Sequence, residues 1–214
     1  MGSAFMGSDQ YMSVVERAYR FAPRMGQVRA EFESLAQVVE SLQPTNVLEI
    51  GTQYGGTFYA WCALAAEHGK KISIDLPDGI HGGLDRAFCE RRNIALCREF
   101  KNVHFLMFDS HALSTVERVS RILGAEKVDF LFIDGDHTYE GVRQDFELYR
   151  HFVRPGGLIA FHDINESTLT IQTNCRVSQF WRELLGEKFE LNAHSWWAEI
   201  GDVLGGIGVL QVPR

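Results

Sequence analysis

From Asn46 onward, short runs of nearly continuous apolar residues alternate with stretches whose apolar positions recur every three or four residues. The runs are Asn46–Ile50, Lys71–Asp75, Val103–Phe108, Val128–Ile133 and Leu158–Phe161. An unbroken apolar run marks a strand buried on both faces, where an alternating run would leave one face wet. Between the runs, Thr57–His68, Asp85–Cys97, Ala112–Leu123 and Tyr139–Val153 carry helical periodicity. Such alternation predicts a parallel sheet with helices on both faces and right-handed crossovers.

The two ends of the chain read differently. Upstream, amphipathic helices are expected near Tyr11–Tyr19 and over Arg29–Leu42. In the second, Phe32, Leu35, Val38, Val39 and Leu42 fall on one face, and the helix stops before Pro44. Downstream, a helix around Val177–Leu185 precedes two strand-like runs, Phe189–Ala193 and Gly206–Val212, with no helix between them. These two should pair as an antiparallel hairpin at the sheet edge. Residues 1–10 read as a tag or disordered start. Residues 11–44 read as N-terminal helices that cap the site or make a dimer contact, and 45–214 as one domain.

The 214 residues carry a net charge of −7, with 45% hydrophobic and 23% charged positions. An acidic surface repels phosphate backbones, so no nucleic-acid partner is expected. Arg91-Arg92 is the candidate for a local basic patch. None of the four cysteines forms a CxxC pair, which speaks against zinc, and Cys62 lies in an apolar helical run. No secretory or membrane-spanning stretch stands out, so a cytoplasmic protein with reduced thiols and no membrane partner is expected.

The chemistry gathers where the predicted strands end. The first runs into Glu49-Ile50-Gly51-Thr52-Gln53-Tyr54-Gly55-Gly56. A glycine turn there admits a ligand to the backbone, and the next helix points its N-terminal amides at the same place. Dinucleotide folds want G-x-G-x-x-G, but Gln53 stands at the middle glycine. An acid two residues before Gly51 would repel a pyrophosphate and suits the positively charged amino end of S-adenosylmethionine (SAM). The second strand ends in Asp75, roughly 20 residues on, the spacing of a ribose-binding acid. The third ends in Phe108-Asp109-Ser110, the fourth in Asp134-Gly135-Asp136-His137, and the fifth in His162-Asp163-Ile164-Asn165 after a Pro155-Gly156-Gly157 turn. A lone acid at a strand end is ordinarily a helix cap. Capping does not explain why every strand ends in one; a site along the carboxyl rim does.

These residues resemble the class I SAM-dependent methyltransferases from about Val47 to the C-terminus. Phe130–Glu140 and Gly157–Asp163 resemble, more narrowly, the branch holding cephalosporin-hydroxylase-like proteins and macrocin-type sugar O-methyltransferases. The resemblance implies a Rossmann-like α/β fold, with a seven-stranded sheet, mostly parallel, an antiparallel C-terminal edge hairpin and helices on both faces. It implies that Glu49, Gly51 and Gly55 line the methionine part of SAM, Asp75 the ribose, and Asp109 with Ser110 the adenine, with Asp134 also at the cofactor. In metal-dependent branches, acids at strands four and five hold magnesium against the acceptor oxygen. On that pattern Asp134, His162 and Asp163 are ligands. His162 stands where the family usually has Asp, Glu or Asn. That favours a softer ion such as manganese, or His162 acting as a base without metal.

The expected reaction is O-methylation of a small-molecule hydroxyl on a sugar or natural product. The hydroxyl must lose a proton, and Asp136, His137 and His162 compete for that role. His137 also reads as a helix cap, and His111 borders the adenine corner. Leu76–Leu84 and His194-Ser195-Trp196-Trp197 are the candidate acceptor-side segments. A homodimer is expected from the resemblance. Two other readings remain open in the residues: an NAD-dependent oxidoreductase, and a non-catalytic protein that binds SAM on this fold.

Overall fold

The computed structural model describes residues 6–79, 83–192 and 205–214, with side chains from Val14 onward. Two helices, α1 (Met6–Phe21) and α2 (Arg29–Leu42), precede the sheet. Then β1 (Val47–Ile50), α3 (Gly56–Leu64), β2 (Lys71–Ile74), α4 (Arg86–Glu99), β3 (Val103–Leu106), α5 (Leu113–Leu123), β4 (Val128–Ile133), α6 (Tyr139–Tyr149) and β5 (Val153–His162) alternate as expected. A 3₁₀ turn at Arg150–Phe152 joins α6 to β5. The chain closes with α7 (Thr168–Gln172), α8 (Val177–Glu183), β6 (Glu187–Leu191) and β7 (Ile207–Gln211).

The seven strands run in the order β3-β2-β1-β4-β5-β7-β6. All pairings from β3 to β5 are parallel, and β7 lies antiparallel to both β5 and β6. The strand order reverses between β1 and β4, the switch point at which such sheets open a crevice for ligands. The predicted hairpin is present, with the last strand inserted against β5 and β6 at the edge. The edge strand itself, β6, carries Glu187, Lys188 and Glu190, charges that discourage pairing with another chain.

Two local expectations change. Pro155-Gly156-Gly157 is not a turn before the fifth strand. It lies inside β5, where the pairing with β4 shifts register between Val128 and Phe130. This bulge takes up a proline and a left-handed Gly156 without ending the strand. The short α7 was not anticipated; Ser167 and Thr170 form its capping box. The Ile80-His81-Gly82 part of the loop after β2, Ala193 of the predicted sixth strand and the His194–Trp197 segment lie outside the described residues.

One core face joins Leu48, Ile50, Ile72, Leu131 and Ile133 to α5, α6 and α8. The other joins Val47, Phe130 and Phe132 to α1, α2 and α3. Trp61 of α3 centres the second face, its ring 5.0 Å from Phe130 and 5.7 Å from both Phe132 and Phe32. The N-terminal helices are thus part of the core. The buried Glu31 of α2 accepts a hydrogen bond from the Gly206 amide at 2.8 Å, fixing the first turn of α2 against the start of β7. Among the described residues no helix is long and apolar enough to cross a membrane.

Candidate active site

A cavity of about 320 Å³ opens over the carboxyl ends of β1, β2, β3 and β4. Gly51, Asp75, Asp109, Ser110, Asp134, Asp136 and His137 all line it, so the ends of β1 to β4 converge there, while Glu49, His162 and Asp163 are not on its wall. Gly51 is forced: its φ is +86°, and a Cβ there would sit 1.9 Å from the Asp134 carbonyl oxygen. The Asp134 amide donates to Ile50 O at 2.8 Å, which brings β4 this close. Gly55 is the left-handed cap of α3 and packs on Arg92, while its neighbour Gly56 reaches the wall.

Glu49 does not line the cavity. It is fully buried behind the glycine turn, and burial raises its pKa well above the ordinary value. The expectation that Glu49 lines the methionine end is corrected: its side chain lies off the cavity and can act on the site only through the turn. The Arg91-Arg92 patch is corrected as well. Arg92 is buried and donates to Asp75 Oδ2 at 2.8 Å. Asp75 therefore meets a ligand with part of its carboxylate already occupied.

At the third strand, Asp109 Oδ1 accepts from the His111 amide at 2.8 Å and remains largely exposed at the cavity mouth. His111 lines the wall with its Nε2 3.3 Å from Oδ1 of the fully buried Asp145. The adjacent Asp145 carboxylate outweighs burial and raises the His111 pKa, while the ring's hydrogen-bond contact is to the Gly141 carbonyl at 3.2 Å. Tyr149 Oη donates to Ser110 O at 2.7 Å, fixing this corner from behind.

The β4–β5 end gathers charge. His137 Nε2 lies 3.2 Å from Asp134 Oδ1 and 3.2 Å from Asp163 Oδ2. His162 Nδ1 lies 3.3 Å from Asp134 Oδ1 and 3.4 Å from Asp163 Oδ1. Burial opposes every charge here, but the opposite partners win. His137 is pushed up to about 10 against its burial by hydrogen bonds to Asp134 and Asp163. His162 is raised, and Asp134 and Asp163 are held low. Asp134, His137, His162 and Asp163 each bring a ligand atom within 4.8 Å of the others, a mixed oxygen and nitrogen set that fits a divalent ion. His137 is a candidate fourth ligand, beyond the three expected.

His162 is almost wholly buried and does not line the cavity, so it is badly placed to take a proton from an acceptor. Asp136 is on the wall. Its Oδ1 accepts from the Thr138 amide at 2.8 Å, and a Cβ at Gly141 would lie 2.2 Å from its Cγ. Sequence reasoning missed Gln27. From the loop before α2 its Nε2 donates to Asp134 Oδ2 at 2.9 Å, and it lines the cavity with Met25 and Gly26. No periodic signal marks it.

The family model described as "Methyltransferase domain" matches residues 48–164, more than half of the chain and every strand of the cavity floor. The chain belongs to this methyltransferase family. Among curated relatives, the methyltransferase is 24% identical over 131 residues to a rhamnosyl O-methyltransferase of Mycobacterium tuberculosis. That match covers 60% of this chain and 49% of the relative. The chain spans about half the length of that relative, and 16% of an uncharacterized Sinorhizobium fredii protein that is 26% identical over 159 residues. In fold it matches an O-methyltransferase of Bacillus cereus solved with SAH, at TM-score 0.59 and 18% identity over 99% of this chain and 93% of that one. The N-methyltransferase NodS of Bradyrhizobium japonicum, also with SAH, matches at TM-score 0.59 and 16% identity over 96% and 99%. The methyltransferase thus has the class I SAM-dependent fold, which hosts both oxygen and nitrogen chemistry.

Proposed function

We propose that this methyltransferase moves the methyl group of SAM to a hydroxyl oxygen of a small acceptor, a sugar or natural-product hydroxyl. The observation that carries the reading is the double position of Asp134. Its backbone touches the Gly51 turn where the cofactor enters, and its carboxylate belongs to the acid–imidazole cluster at the other end. Cofactor and acceptor chemistry meet on one residue. The rhamnosyl O-methyltransferase relative supports a sugar hydroxyl.

In the reaction, the acceptor oxygen attacks the methyl carbon in line with the carbon–sulfur bond. The bond's electrons return to sulfur, leaving S-adenosylhomocysteine (SAH). The chain's first task is to hold nucleophile and methyl in line, worth several kcal/mol. Gly51, Thr52 and Gly56 form the wall at the methionine end, Asp75 the ribose edge, and Asp109 with Ser110 the adenine edge. The second task is to take the hydroxyl proton, worth roughly 10²–10⁴ in rate. Asp136 is the proposed base, since it lines the wall and Thr138 and Gly141 fix its orientation.

Asp134, His137, His162 and Asp163 would hold a divalent ion. Such an ion polarises the acceptor oxygen and lowers its hydroxyl pKa. Two imidazoles in the set favour manganese, or another first-row transition ion, over magnesium. The cytoplasmic setting is supported by four unpaired cysteines, and the homodimer by the family resemblance alone.

The test is transfer from methyl-labelled SAM, with Mn²⁺ present, to a panel of glycosides and hydroxylated natural products. The expected product carries label on oxygen, and Asp134→Ala lowers its formation by roughly 10²–10⁴-fold while SAH still binds. Wild-type turnover by Asp134→Ala, or label on nitrogen, would contradict the proposal.

A further inference from the structure

An acid that reads a ribose must present its lone pairs to the hydroxyls in a fixed direction. Asp75 is held to such a direction from one side by Arg92. Arg92 Nη1 donates to Asp75 Oδ2 at 2.8 Å and also to the Gln53 carbonyl, and the two side chains are 2% and 10% exposed. Arg92 is itself held, its Nε donating to Asn93 Oδ1 at 3.0 Å. Cys89 Sγ adds a weak contact to Oδ2 at 3.8 Å. The other oxygen, Oδ1, is loosely engaged: the Thr52 and Gln53 amides reach it at 3.3 and 3.4 Å, long for amide hydrogen bonds. One oxygen is therefore anchored by a buried guanidinium, and the other is easily yielded to a ligand on the cavity side.

Stability is a poor reason for this arrangement. Taking two charges out of water costs several kcal/mol each, and apolar replacements of such pairs are often neutral or better. Arg92 also spans three elements. It rises from α4, and ties the end of β2 to Gln53, a non-glycine residue at φ +42° inside the glycine turn. The same side chain fixes both the ribose acid and the turn over which the rest of the cofactor lies.

We propose that Arg92 is the positioning residue of the ribose site. It holds Asp75 Oδ2 and the Gln53 carbonyl together, so that Asp75 Oδ1 is presented to a ribose hydroxyl. The proposal rests on the reading of the cavity as a SAM site. It predicts that removing Arg92 costs ribose recognition in particular, rather than cofactor affinity in general.

Calorimetry on the full chain with SAH and its 2′-deoxyribose analogue tests this. The wild type should prefer SAH by roughly 10–100-fold, the range of a hydrogen bond to a charged group. Arg92→Met should weaken SAH and shrink that preference below about threefold. Arg92→Lys, which keeps the charge but loses the fork, should retain an intermediate preference. Asp75→Asn with Arg92→Met, which removes both buried charges, should be no worse than Asp75→Asn alone. Equal weakening of both ligands by Arg92→Met, or unchanged SAH binding, would reduce Arg92 to packing and overturn the proposal. If Arg92→Met does not fold, Arg92→Lys decides, and a wild-type preference there overturns it. A wild type that binds SAH without ribose preference sinks this proposal alone. A wild type that binds no SAH sinks the cofactor reading and this proposal with it.

Discussion

At the β2 end of the cavity one acid, Asp75, meets one arginine; at the β4–β5 end two acids meet two imidazoles. The buried guanidinium is bonded to both Asp75 and the Gln53 carbonyl, so the first end is a fixture. The imidazoles give up their protons to bind an ion, so the second end exchanges one kind of cation for another. The difference separates the tasks of the site. A neutral ribose needs fixed geometry and no net charge, whereas an ionising hydroxyl needs charge that can be supplied or withdrawn. Each prediction below attacks one end and asks whether the other notices.

The largest effect is expected from Asp134→Ala. Methyl transfer should fall by roughly 10²–10⁴-fold, the span of several kcal/mol, while SAH affinity stays within about threefold by calorimetry. A parallel loss of SAH binding would mean that the two ends are not separable. Next is Gly51→Ala, which should destabilise the fold by about 3 kcal/mol or more in urea unfolding and remove SAH binding, because the new Cβ meets the Asp134 carbonyl. Gly124→Ala is the control. It shares a positive φ of +63° but has nothing within 4 Å, so only backbone strain of about 1–3 kcal/mol is expected, with SAH binding unchanged.

His137→Gln and His162→Gln should each weaken Mn²⁺ binding by at least roughly 10–100-fold, the loss that even outer partners of a metal site cause. Titration calorimetry or the Mn²⁺ paramagnetic signal reads this directly. SAH binding should not change. If His137→Gln binds Mn²⁺ as the wild type does, the fourth ligand is wrong.

The smallest effect is one of pH on chelator-treated protein. The folded pKa of His137 is raised to about 10 from an ordinary 6.5. A raised folded pKa contributes stability that is complete below 6.5 and is lost as pH rises through about 10. Melting temperature without metal should therefore decline between pH 7 and 10, by about 2–4 °C per kcal/mol lost. His137→Gln should flatten that slope. Asp163, held low, acts oppositely: its contribution is present above its ordinary pKa of 3.8 and lost as pH falls below it.

Much of this was legible in the sequence, and the reasons are specific. Leu131 and Ile133 face one side of the sheet and Phe130 and Phe132 the other, so a strand buried on both faces had to read as a continuous apolar run. The acids at strand ends were legible because a parallel sheet puts every such end on one rim. Glu49 misled because a strand alternates sides, and spacing from a glycine does not reveal which side meets the cavity. His162 misled in the same way, reading as a base although its ring is buried among the acids. Arg92 could have been found: Cys89, Arg92, Asn93 and Leu96 form the buried stripe of α4 at helical spacing. A charged residue on that stripe needs a buried partner. Gln27 could not. It lies in a loop, 107 positions from the carboxylate it holds, and only the packing of α1 and α2 on α3 brings it there.

The most direct test of the central claim is a crystal structure of the chain grown with SAH and Mn²⁺. The account predicts the ribose on Asp75, the sulfur end toward Asp134, and the ion on Asp134, His137, His162 and Asp163. SAH bound away from the Gly51 turn, or manganese held by other residues while this cluster stays paired with itself, would contradict it.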